Sequence, residues 1–131
     1  MTKEEAILLK DLCARVPYHP KGHVVNACNG AECDEWLTCA TFTMFTNVTN
    51  NCRLYLRPIS SMTEEEKEEL KEISRNYLDE WEHTKTSLER WKLDAKESYL
   101  RFVFYNSHHF DWNGLIEKNL ALDCTGLHIY D

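Results

Sequence analysis

Apolar residues recur at helical spacing at Leu8, Leu9, Leu12, Cys13 and Val16, so the chain opens with an amphipathic helix that runs to about Arg15 and stops at Pro17. Thr2 followed by Glu5 supplies a capping box at its start. Between Gly22 and Leu56 the pattern changes. Val24-Val25, residues 36–45 with Thr41 and Thr43 alternating, and Leu54-Tyr55-Leu56 read as two or three antiparallel strands. Asn29-Gly30 suits a turn with positive φ, with residues 31–35 as a longer loop. After Pro58, Thr63 and Glu66 form a second capping box, and the row Leu70, Ile73, Tyr77, Trp81, Leu88, Trp91, Ala95 continues at spacings of three and four, interrupted at Thr84. Thr86 and Glu89 obey the same capping rule, so residues 64–105 read as one long bent helix or as two helices joined near residues 83–86. Residues 99–105 combine strand-like residue types with a helical pattern. Asn113-Gly114 breaks the chain, and Leu120-Ala121-Leu122 fits a short closing strand.

The four Gly and three Pro act as punctuation. Residues 59–113 contain neither, a stretch that helices fill more readily than a sheet with tight turns. No two glycines lie close together, so the chain has no phosphate-cradling loop, and the serine elbow of α/β hydrolases is missing as well. The expected fold is therefore α+β. A small antiparallel sheet of two to three strands in the N-terminal half packs with an N-terminal helix and with two to three helices in the C-terminal half.

Length and composition change this picture little. The 131 residues suit a single domain, residues 1–131, and 43% apolar content supports an ordinary core. Acids occupy the positions of a positive signal-peptide n-region, and no window approaches the length of a membrane span. The expectation is a cytoplasmic protein with reduced cysteines and no membrane association.

Charge changes the picture more. The formal net charge is −7, which argues against direct nucleic-acid binding. Residues 64–82 alone hold nine acids and three bases, a net of −6. A solvated helix face explains such a run, but a row of negative charge also resembles a phosphate backbone and steers a partner with a basic groove. Glu65, Glu68, Glu69, Glu72 and Asp79 are the candidate contact residues on that row, with His108 and Trp112 as candidate anchors.

Two other constellations carry candidate chemistry. Cys28, Cys33, Cys39 and Cys52, with His19 and His23 nearby, supply enough soft ligands for zinc, yet the spacing fits no zinc-knuckle pattern, and alternate strand positions point apart. A zinc-stabilised structural or regulatory module built on these cysteines is the alternative reading, although no metal site is assigned. His108-His109 with Asp111 is the one compact titratable cluster. Adjacent histidines diverge on any regular element, so packing and capping roles are favoured over acid/base catalysis. No catalytic residue and no cofactor is expected, and the chain reads as non-enzymatic.

Three segments resemble a known group. YLRPISSMTEEEKEEL at residues 55–70 resembles the "YLRPxSSMTEEEKKEL" segment of small uncharacterised proteins encoded by phages and prophages of Bacteroides and related gut bacteria. HFDWNGLIEKNLAL at residues 109–122 is similar to their closing "HFDYRGLIEKGLAL", and LKDLCARVPY at residues 9–18 to their "LKDLCARLPY". Asn113 stands where that pattern has Arg, Asn119 stands where it has Gly, and residues 73–104 lie outside the resemblance. The resemblance implies a small β-rich N-terminal part followed by helices. It also implies a phage origin, which favours an accessory factor that binds a host protein, of the anti-CRISPR or other anti-defence kind. The partner expected on this reading is a host protein with a basic nucleic-acid-binding surface.

Overall fold

The protein, seen in a computed structural model, is described over residues 3–25, 30–37 and 52–130, the side chains of Glu5 and Cys52 excepted. Helix α1 (Lys3–Arg15) ends where expected and passes into a 3-10 turn (Val16–Tyr18) with Pro17 in its first turn, the position at which a missing N–H costs least. Thr2 and the Glu5 side chain, the expected capping box, lie outside the described residues.

Strands β1 (Lys21–Val25), β2 (Glu32–Trp36) and β3 (Cys52–Leu56) form an antiparallel set in which β1 is central and pairs with both others. A fourth strand, β4 (Ala121–Asp123), pairs parallel to β3, so the sheet order is β2-β1-β3-β4. The α+β class and the closing strand near residue 121 therefore stand, with the fourth strand making the sheet mixed. The second strand is displaced from its expected place. It covers Glu32–Trp36, where a loop was expected, and ends where a strand over residues 36–45 was expected to begin; residues 38–51 lie outside the described residues. Glu32, Asp34 and Glu35 are poor strand formers, and pairing with β1 along its full length overrides that preference. Both faces of β2 are exposed, which suits a charged strand at the edge of a sheet.

Strand alternation sorts the sheet into two faces. Val24, Leu54, Leu56 and Ala121 join Leu8 and Leu12 of α1, Leu37 and Leu115 in one buried core, with Ile7, Val16, Ile116 and Leu120 packed against it. Each fully buried Leu contributes roughly 1.5–3 kcal/mol of transfer free energy. Gly22 is required at the second position of β1, because a Cβ there would lie 2.8 Å from Leu37 Cδ1 and 2.9 Å from the Arg53 carbonyl oxygen.

The described residues cluster into two compact units, residues 1–59 with 106–131 and residues 60–105. The core above belongs to the first. Within it, Arg57 N–H donates to the His109 carbonyl and Asp111 N–H to the Arg57 carbonyl, both at 2.8 Å, so the segment that leaves β3 and the segment that returns toward β4 run side by side.

The second unit is a helical hairpin of α2 (Glu64–Glu82) and α3 (Ser87–Ser107), the last two residues of α3 falling in the first unit. Two helices thus occupy the stretch that the sequence left open between one and two. Both halves of the Thr63 capping box form: Glu66 N–H donates to Thr63 Oγ1 at 3.2 Å and Thr63 N–H to Glu66 Oε1 at 2.9 Å. At the start of α3, Glu89 N–H donates to Thr86 Oγ1 at 3.2 Å, while the Glu89 carboxylate reaches back to Lys85 N–H at 2.8 Å. The ambiguous residues 99–105 are helical. The helices run antiparallel, as Tyr77 Oη donates to Asp94 at 2.6 Å, Lys96 pairs with Glu80 at 3.1 Å, and Arg101 donates to Ser74 Oγ.

Candidate functional site

The acidic row lies on α2, whose capping box fixes the first turn and whose Glu64, Glu65 and Glu66 sit against the positive end of the helix dipole. At about 100° per residue, Glu65, Glu68, Glu69, Glu72 and Asp79 share one side of the helix. All five are exposed. Leu70, Ile73 and Tyr77 lie on the other side and are half-buried, Tyr77 facing Asp94 of α3. The helix is therefore two-sided, apolar toward its partner helix and acidic away from it.

The carboxylates are partly compensated. Arg75 lies between Glu68 and Glu72, at 2.7 and 3.0 Å, and both carboxylates raise its pKa, Glu68 most. Lys67 pairs with Glu64 at 3.0 Å. Exposed pairs of this kind are worth about 0–1 kcal/mol each. They also leave most of the charge in place, since the helix as a whole carries three bases against nine acids.

His108 and Trp112 belong to the other unit and are built into its local packing. The His108 ring leans on Phe110 with centroids 6.2 Å apart, and its carbonyl accepts from Arg57 at 3.3 Å. Trp112 is 38% exposed, donates through Nε1 to Asn106 Oδ1 at 2.8 Å, and has the Arg15 guanidinium 5.7 Å from its ring centroid.

Next to them, Asp111 caps the turn that follows: its carboxylate accepts from Leu115 N–H at 2.8 Å and Ile116 N–H at 3.0 Å. His109 stacks flat on Tyr130, with ring centroids 3.6 Å apart and planes 7° from parallel. Its Nδ1 is buried with no hydrogen-bond partner. Burial, reinforced by Arg15, Arg57, His108 and His19, pushes its pKa down to about 4. The histidines and Asp111 thus point into different environments.

Cys28, Cys39 and the side chain of Cys52, three of the four cysteines of the suggested zinc set, lie outside the described residues. Cys33 is exposed on β2 and donates to Glu35 at 3.2 Å, a contact that with lesser contributions raises its thiol pKa. No group of three or more His, Cys, Asp or Glu is placed to hold a metal ion among the described residues.

One cluster was not foreseen. On the sheet face opposite the core, His23 Nδ1 lies 3.0 Å from Asp34 Oδ1, and Tyr55 Oη donates to the same oxygen at 2.8 Å. Register makes His23 and Asp34 direct partners, with Arg53 opposite His23 on the other side. The two hydrogen bonds lower the Asp34 pKa, while burial, then Asp34, pushes the Tyr55 phenol up to about 12. His23 Nε2 is left facing Glu32 at 3.8 Å. Cys33 projects from the opposite face of β2, so imidazole and thiol cannot act on one substrate. The alternation Lys21, His23 on β1 and Arg53, Tyr55 on β3 was a readable signal for this polar face; the placement of β2, which supplies Asp34, was not.

Comparison with family models, with curated proteins and with solved structures gives no match. Among the described residues no helix is long and apolar enough to cross a membrane.

Proposed function

We propose that this is a phage-derived, non-enzymatic binding protein whose helix α2 docks on a basic, nucleic-acid-binding surface of a host protein, acting as an inhibitor of the anti-CRISPR or other anti-defence type. One observation carries the reading: five carboxylates share an exposed side of a single capped helix that holds nearly the whole net charge of the chain. A rigid helix holds such charges at fixed spacing, and a basic groove built for phosphates meets them with complementary potential. The phage origin rests on the resemblance of residues 9–18, 55–70 and 109–122. His108 and Trp112 would serve as anchors only where their remaining exposed edges are reached.

The test uses the full chain as bait in a lysate of gut Bacteroidetes. Wild type is expected to retain a nucleic-acid-binding protein that excess duplex DNA releases, with retention weakening as salt rises. The variant with Glu68→Lys, Glu69→Lys and Glu72→Lys is expected to retain none while keeping its helical circular dichroism. Retention that survives both the DNA competitor and the charge reversal overturns the proposal.

A further inference from the structure

Helix α3 is two-sided in a different sense from α2. Leu93 and Phe104 are buried on the side that faces α2. On the opposite side Leu88, Trp91, Ala95, Tyr99 and Phe102 form one row at about 100° per residue, and all are exposed: 59% for Leu88, 70% for Trp91, 64% for Tyr99 and 39% for Phe102. The row is a stripe about 21 Å long. Scattered apolar residues on a surface are ordinary, but a contiguous row with two of the largest side chains exposed by more than half marks a contact surface.

The order of sizes along the row identifies what fits it. The spacings are three, four, four and three, with two large residues on each side of a central alanine. A half-turn about an axis through Ala95 sets Trp91 of one copy against Tyr99 of the other and Leu88 against Phe102. That self-complementarity is what an isologous interface requires, residue i meeting j while j meets i, and the small central side chain lets two helices approach closely. We infer that a second copy of this chain covers the stripe, the two α3 helices pairing antiparallel about Ala95.

Area and charge agree with that occupant. On a scale of about 150–250 Å² per aromatic, the four large side chains expose roughly 500 Å² per copy, so pairing buries roughly 1,000 Å² before any rim contact, the lower limit for a specific interface. Helix α3 carries four bases and three acids, so two copies meet there near neutrality. Pairing through α2 would instead bring two net charges of −6 together.

Sedimentation equilibrium on the full chain tests this over about 1–100 μM. Wild type is expected to dimerise reversibly within that range. Trp91→Glu and, separately, Ala95→Glu are expected to remain monomeric throughout with unchanged far-UV circular dichroism, since both positions are exposed. The triple Lys variant on α2 is expected to dimerise as wild type does, which separates this inference from the proposed function. A wild-type monomer at every concentration, or a dimer that persists in either α3 variant, overturns it.

Discussion

Arg15 lies at the last position of α1 with its side chain wholly buried, as is that of Asp11 one turn earlier. Its Nε and Nη2 donate to the two Asp11 oxygens, the latter at 3.2 Å, and Nη1 donates to the Phe110 carbonyl at 2.8 Å. A buried ion pair is costly to break, because removing one partner strands the other charge away from water. Asp11→Ala is therefore expected to lower the unfolding free energy by about 3–5 kcal/mol in urea titration. The spacing of four between Asp11 and Arg15 is visible in the sequence and reads as an ordinary surface pair. Its burial is not legible there, because the third partner is a carbonyl 95 residues away. His109 shows the same limit. Its φ of 62° places it in the left-handed region, where non-Gly residues are uncommon although His, like Asn and Asp, is enriched among them, and the Tyr130 ring it stacks on comes from the segment beyond β4. Because its folded pKa is held at about 4, below the usual 6.5, the unfolded state takes up the proton first. The contribution of neutral His109 is complete above about pH 6.5 and is lost as pH falls toward about 4. The urea midpoint is expected to fall between pH 7 and pH 5 more in wild type than in His109→Gln; equal falls would refute this.

At the scale of elements, local rules worked where they were self-contained. Thr63 and Glu66 satisfy each other's neighbourhood without help from the rest of the chain, so the start of α2 was readable to the residue. Thr63→Ala is expected to destabilise the hairpin by about 1 kcal/mol, seen as a lowered thermal midpoint at 222 nm without loss of the first unit's near-UV signal. Asn119 follows the same logic. It occupies a φ of 59°, a conformation Gly adopts freely and Asn tolerates. Strand β2 marks the limit of local reading. Its charged residues carry no hydrophobic alternation, and only the pairing of Lys21 with Trp36 through Val25 with Glu32 makes it a strand. The His23, Asp34, Tyr55 cluster depends on that pairing, so it was equally hidden. The acidic row was plain in the sequence. Its partial compensation by Arg75 was not, since the spacings of seven and three from Glu68 and Glu72 admit several side-chain arrangements.

At the scale of the whole molecule, the two units divide the chemistry between them. The first holds the core, the buried Arg15–Asp11 pair and the polar sheet face. The second holds the acidic side of α2 and the apolar stripe of α3. Its chain lies wholly between β3 and β4, and the segments flanking it are joined by the paired hydrogen bonds of Arg57 with His109 and Asp111. That arrangement bears on the order in which the chain can fold. For β4 to find β3, the intervening residues must close as a loop, and the entropy of closing a flexible loop grows with its length. An antiparallel helix pair forms from contacts near in sequence, on a faster timescale than strand pairing, and brings its own two ends together as it does so. Once it has formed, only residues 57–63 and 108–120 remain to be closed, so the parallel pairing that completes the core closes a loop of about twenty residues where the extended chain would have to close the whole of residues 57–120.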